Sequence, residues 1–120
     1  PDLDPNASVQ TEQQEEKPEG IRIPGYPRIT IAADTTEVTM NLKNPEGNPC
    51  YFTFEIALKE DDEILYTSKM VEPGKAITDV TLARALEKGE YPAVIRITTN
   101  SLEDGSVMNG ANVETTLVAE

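Results

Sequence analysis

The chain alternates apolar and polar residues in short runs separated by turn formers. In "RITIA" Ile29 and Ile31 share one face, and in "EVTMNLK" Val38, Met40 and Leu42 face away from Glu37, Thr39, Asn41 and Lys43. "YFTFEIALK" sends Phe52, Phe54, Ile56 and Leu58 inward and Tyr51, Thr53, Glu55 and Lys59 outward. Period-two alternation over such runs predicts strands with one wet face. "NPEGNP" and "EPGK" interrupt them with strong turn residues, Pro73 and Gly74 suiting the centre of a type II turn. "EDDE" (60–63) reads as a polar hairpin turn, and "ILYTSKMV" as a strand of undecided facing. In "AITDVTL" the offset of three between Ile77 and Val80 predicts a bulge or a kink. "ARALEKG" carries apolar residues at helical spacing up to Gly89, which predicts one short helical turn. "YPAVIRITT" and "NVETTLVAE" are the last two strands, joined by an irregular loop from Asn100 to Asn112.

Seven short strands with regular turn signals predict an all-β, seven-stranded antiparallel β-sandwich with a single helical turn. No connection is long enough for the crossover helices of a parallel α/β sheet. The first twenty residues differ in kind. "PDLDPNASVQTEQQEEKPEG" contains no aromatic residue, and Leu3 and Val9 are its only large aliphatics. Residues 1–20 therefore read as an acidic disordered linker, and residues 21–120 as the domain.

Tyr91 opens the "YPAVIRITT" strand, and "LEKGEY" places Leu86 and Gly89 just before it. These three positions resemble the L-x-P-G-x-Y tyrosine corner of fibronectin type III domains, with Lys88 where that family carries proline. "VEPGKAI" resembles the turn-then-strand pattern of small exported bacterial domains with immunoglobulin-like folds. The resemblance covers roughly residues 28 to 120. It implies an immunoglobulin-like sandwich in which Leu86, Gly89 and Tyr91 are structural, the tyrosine burying its ring and bonding back to nearby backbone.

Charge narrows the partners. The formal net charge is -12. Six acids against Lys17 give residues 1–20 a charge of -5 and leave -7 on the domain. Such a surface repels phosphate backbones and anionic lipids, which argues against nucleic acid and against direct membrane insertion or adhesion. The single cysteine, Cys50, has no intrachain partner, and with no histidine in the chain it reads as a half-buried small hydrophobe.

The absence of histidine also removes Ser-His and Cys-His nucleophiles and most zinc sites. No catalytic residue and no cofactor is expected. Acids gathered in loops, Asp61 and Asp62 in one and Glu103 and Asp104 in another, are the candidate calcium ligands, although neither loop has a spaced calcium-binding pattern. Val107 and Met108 are apolar residues within the long loop, marking either a contact patch or an extra hairpin.

The chain starts at Pro1 with a polar linker leading into a domain, so a signal or anchor segment is expected outside this sequence. The expected function is a non-catalytic, extracellular or cell-surface-tethered bacterial module for spacing, adhesion or recognition of a protein or cell-surface ligand. Two alternatives are a protease inhibitor, whose "NPEGNP" and Met108 loops must then lie at one end, and an accessory domain of a secreted enzyme.

Overall fold

A computed structural model describes residues 3, 4, 7–9, 23 and 25–120. They form eight strands: β1 (Ala7–Val9), β2 (Ile29–Ile31), β3 (Glu37–Asn44), β4 (Cys50–Leu58), β5 (Ile64–Thr67), β6 (Lys75–Thr81), β7 (Gly89–Ser101) and β8 (Val107–Ala119). One sheet has the order β1-β6-β3 and the other β2-β8-β7-β4-β5. The two sheets share one core in which Leu42 and Ile77 of the first meet Phe52, Phe54, Ile56, Ile95 and Leu117 of the second, all fully buried. Phe52 and Phe54 meet edge to face, with centroids 5.8 Å apart.

The apolar periodicity places its residues as expected. Val38, Met40 and Leu42, and Phe52, Phe54, Ile56 and Leu58, are all buried. "EPGK" is a type II turn, with Gly74 at φ 84° and Lys75 N–H donating to Glu72 O at 3.1 Å. The offset in β6 marks a real irregularity: Thr39 pairs with Asp79 but Leu42 with Ile77, so β3 carries the extra residue.

Several expectations are corrected. There are eight strands among the described residues, not seven, and the arrangement is not wholly antiparallel. β2 lies parallel to β8, Ile29 opposite Leu117 and Ile31 opposite Ala119, so the larger sheet is mixed. No helical turn forms at "ARALEKG". Its backbone instead bonds to distant partners, Leu82 N–H to Thr36 O at 2.8 Å and Ala83 N–H to Leu65 O at 2.7 Å, while Leu86 O accepts from Asp34 N–H. The apolar spacing there reflects Leu82 and Leu86 plugging the core from a bend. The loop from Asn100 to Asn112 is mostly ladder, since β7 continues to Ser101 and β8 begins at Val107. A bulge on β8 opposite Ile97–Thr99 hides this pairing from simple alternation. Gly110 sits in it, where a Cβ would lie 2.2 Å from Ile97 O. Cys50 is fully rather than half buried, and that burial pushes its thiol up.

Within the stretch read as linker, Ala7–Val9 pairs with β6 and Leu3 bridges to Met70. Asp4 is described as well, and the other residues of 1–20 lie outside the described residues.

One core polar atom stands out. Thr115 is 6% exposed, and among the described residues its Oγ1 has no hydrogen-bond partner. An unmatched buried hydroxyl costs about 1–3 kcal/mol, whereas an apolar isostere costs nothing comparable. Thr115→Val is therefore expected to stabilise the fold by about 1 kcal/mol, read as a higher denaturation midpoint at unchanged m-value.

Candidate functional site

Three loops converge at one end of the molecule: Pro45–Pro49 between β3 and β4, Glu72–Lys75 before β6, and Leu102–Ser106 between β7 and β8. Their position follows from the register. Cys50 at the start of β4 pairs with Ser101 at the end of β7, so the loops preceding one and following the other are neighbours. Leu102 N–H donates to Pro49 O at 3.1 Å, and Gly74 N–H donates to Asn44 O at 2.7 Å.

Asn44 holds this end together. It is 1% exposed, and its Nδ2 donates to Cys50 O and Val71 O, each at 2.9 Å. Its Oδ1 accepts from Asn48 Nδ2 at 2.7 Å, and Asn48 is itself 3% exposed. One side chain thus links the end of β3, the start of β4 and the chain leading into β6. Within the β7–β8 turn, Asp104 Oδ1 accepts from Ser106 N–H at 2.9 Å, Asn100 Nδ2 donates to Gly105 O, and Ser101 Oγ accepts from Glu103 N–H. Gly47 (φ 93°) and Gly105 (φ 75°) supply the left-handed residues that these tight turns require.

The exposed rim carries Glu46, Leu102, Glu103, Asp104 and Val107, the last 75% exposed. Lys75 is neutralised by Glu72 at 2.5 Å. The surface is acidic, apolar in spots, and held by backbone hydrogen bonds. Val107 pairs with Asn100 and Met108 with Thr99, so both belong to the extended hairpin at this end. Met108 is half-buried against the core.

The four calcium candidates do not come together. Asp61 and Asp62 lie in the β4–β5 turn, at the far end of nine-residue β4 from Glu103 and Asp104, about 27 Å away by strand rise. Their carboxylates already have protein partners: Asp61 Oδ1 caps Glu63 N–H, and Asp62 pairs with Arg96. Among the described residues no group of three or more acids, Cys or His is placed to hold a metal ion.

Arg96 lies on the outer face of the larger sheet, where it also bonds Glu55 at 2.9 Å. Nearby, Lys59 pairs with Glu114 at 2.9 Å. These residues line a shallow groove of ≈ 310 Å³ whose charges are largely matched in pairs. The Asn44 network and the Arg96 pairs escaped sequence reasoning. An Asn in "NPEGNP" looks like any turn Asn, and only the meeting of β3, β4 and residue 71 makes it a buried bridge.

No resolved shift brings a titrating group towards neutrality. Burial pushes Cys50 up and takes Tyr66 to about 12, assisted by the Asp4 charge. The hydrogen bond to Arg84 lowers Glu63, and the hydrogen bonds from Ser106 lower Asp104. Arg84 and Arg96 are raised by their carboxylate partners. These shifts keep Cys50 and Tyr66 neutral and Glu63, Asp104, Arg84 and Arg96 charged near pH 7.

Comparison with known proteins returns no match among protein-family models, curated proteins or solved structures.

Removing the Asn44 side chain would take the side-chain donor from the buried Cys50 carbonyl, one of two donors from Val71 O, which keeps Phe52 N–H, and one acceptor from Asn48 Nδ2. Asn44→Ala is expected to cost about 2–3 kcal/mol, and Asn48→Ala less, because Asn44 then keeps both of its donor bonds to backbone carbonyls. Urea denaturation of the two variants beside the wild type checks the ranking.

Proposed function

We propose that the chain is a non-catalytic immunoglobulin-like β-sandwich module, working outside the cytoplasm and recognising a protein or cell-surface ligand through its loop end. The observation that carries this reading is the convergence of Pro45–Pro49, Glu72–Lys75 and Leu102–Ser106 on one hydrogen-bonded end. Loops on a rigid scaffold are favoured binding sites because little entropy remains to be lost on association. The sandwich reading is supported by two sheets that share one core, with a short early strand running parallel to the last. It is supported also by Tyr91, whose Oη donates to Glu87 O at 2.7 Å just after buried Leu86. The lack of histidine and the shifts away from neutrality support a binding rather than a catalytic role.

A second reading, a loop-presenting protease inhibitor, is favoured by the bond from Leu102 N–H to Pro49 O. It sets the two loops that such an inhibitor would insert side by side.

Both readings are tested by labelled full-length chain applied to intact cells and to a panel of secreted proteases. Glu46→Lys combined with Leu102→Asp is expected to abolish cell binding, while Glu60→Lys at the opposite end leaves it unchanged. Binding that survives the loop-end variant would reject the loop-end reading. Inhibition of a protease that the same variant relieves would select the inhibitor.

A further inference from the structure

The outer edge of β6 is covered from a distance. The chain leaves the larger sheet through Ser68–Val71, where Ser68 N–H donates to Phe54 O and Phe52 bridges Val71. It then turns through Glu72–Lys75 straight into β6, with no strand between to cover that strand's outer edge. The edge is taken by Ala7–Val9. Ala7 lies opposite Ile77, Ser8 opposite Ala76 and Val9 opposite Lys75, and Leu3 makes a parallel bridge with Met70.

Among the described side chains of this segment, Asp4 has the chemistry of an anchor. Asp4 is 8% exposed; its N–H donates to Met70 O at 2.7 Å and its Oδ2 accepts from Lys69 N–H at 3.0 Å. A carboxylate is held this deep only where hydrogen bonds offset its desolvation. The strand pairs themselves are made by backbone and are indifferent to sequence, so the Asp4 contact supplies the selectivity. Lys69 and Lys75 flank the path of the segment, two of only ten cations in a chain with 22 acids.

A three-residue ladder is short, and nineteen residues (10–28) separate it from β2. Short ladders of this kind open at small cost, as fraying elements do. The geometry points to a strand-acceptor site along β6 and residues 69–70 that takes an extended, carboxylate-bearing peptide of a partner protein, with Leu3–Val9 as its occupant in cis. The wanted segment carries an Asp three residues ahead of a strand that begins with a small residue, as Asp4 precedes Ala7. This site meets the loop end only at Lys75, which lies opposite Val9.

The test uses full-length chain carrying Asp4→Lys, which releases its own segment, and a fluorescent peptide of residues 1–10 read by anisotropy. The variant is expected to bind the peptide saturably. Wild-type chain, holding its own segment at high effective concentration, should bind it about tenfold or more weakly, and so should the variant towards a peptide bearing Asp4→Ala. Two further readouts keep the test independent of folding. Amide exchange at Lys69 should speed up in the variant and slow again with peptide, while exchange at Phe54 and Ile95 stays as in wild type. The Tyr66 phenol should titrate lower than in wild type, since it loses the Asp4 charge. A variant with wild-type core exchange that does not bind the peptide would overturn the inference. Equal binding of the Asp4→Ala peptide would overturn its carboxylate selectivity, and micromolar dimerisation of wild-type chain through this edge would replace the partner with a second copy.

Discussion

The loop end rests on the primary amide of Asn44. Its two donors and one acceptor reach the backbone of β4, the backbone of residue 71 and the side chain of Asn48, each at 2.7–2.9 Å. β4 already meets residue 71 through the Phe52–Val71 bridge, and the Asn44 amide ties the end of β3 to that junction. Three bonds from a nearly fully buried group make a restraint that neither Leu nor Asp could reproduce: Leu has no donor, and Asp would turn acceptors towards carbonyl oxygens. Asn44 is buried at the same end of the structure where the core begins at Cys50 and Phe52, so polar bridge and apolar core meet within β4.

What the sequence makes legible follows from where each signal arises. Alternation reports which face of a strand meets the core, and it places Val38, Met40, Leu42, Phe52, Phe54, Ile56 and Leu58 without reference to their neighbours. Turn chemistry is equally local, as Gly74 and Gly47 illustrate. Pairing is not local. Nothing in "RITIA" distinguishes a strand lying parallel to β8 from an antiparallel one, and nothing in "NASV" announces a partner some seventy residues away. Helical spacing at Leu82 and Leu86 misleads because two inward-facing residues on a bend produce the same offset as a helix turn. At the candidate site, exposed Val107 and the acids of the hairpin were visible as residue types; Asn44, Arg96 and Asp4 were not, because each acts through a tertiary contact.

The edges of the two sheets show how one chain with high negative charge avoids uncontrolled pairing. β2 is only three residues long, β5 is four and shifts register against β4, and the Tyr26 hydroxyl accepts from Lys43 N–H on the open side of β3. Along β6, protection comes instead from a segment distant in sequence. An edge built to be covered by a docked peptide differs from one blunted by shortness or charge, since it keeps its ladder complementary to a strand.

Charge distribution ties these features to function. Arginines in this structure are spent within the fold: Arg84 makes a two-point contact with Glu63, Arg96 joins Glu55 and Asp62, and Arg28 meets Glu90. Exposed pairs of this kind add little stability singly, but they match the cations of the sheet faces with neighbouring acids. At the loop end no ion pair forms among the described residues at the rim acids Glu46, Glu103 and Asp104, and Leu102 and Val107 are exposed beside them. A partner surface that presents basic groups around an apolar contact would meet both features there. Its approach would be steered by the chain's net negative charge.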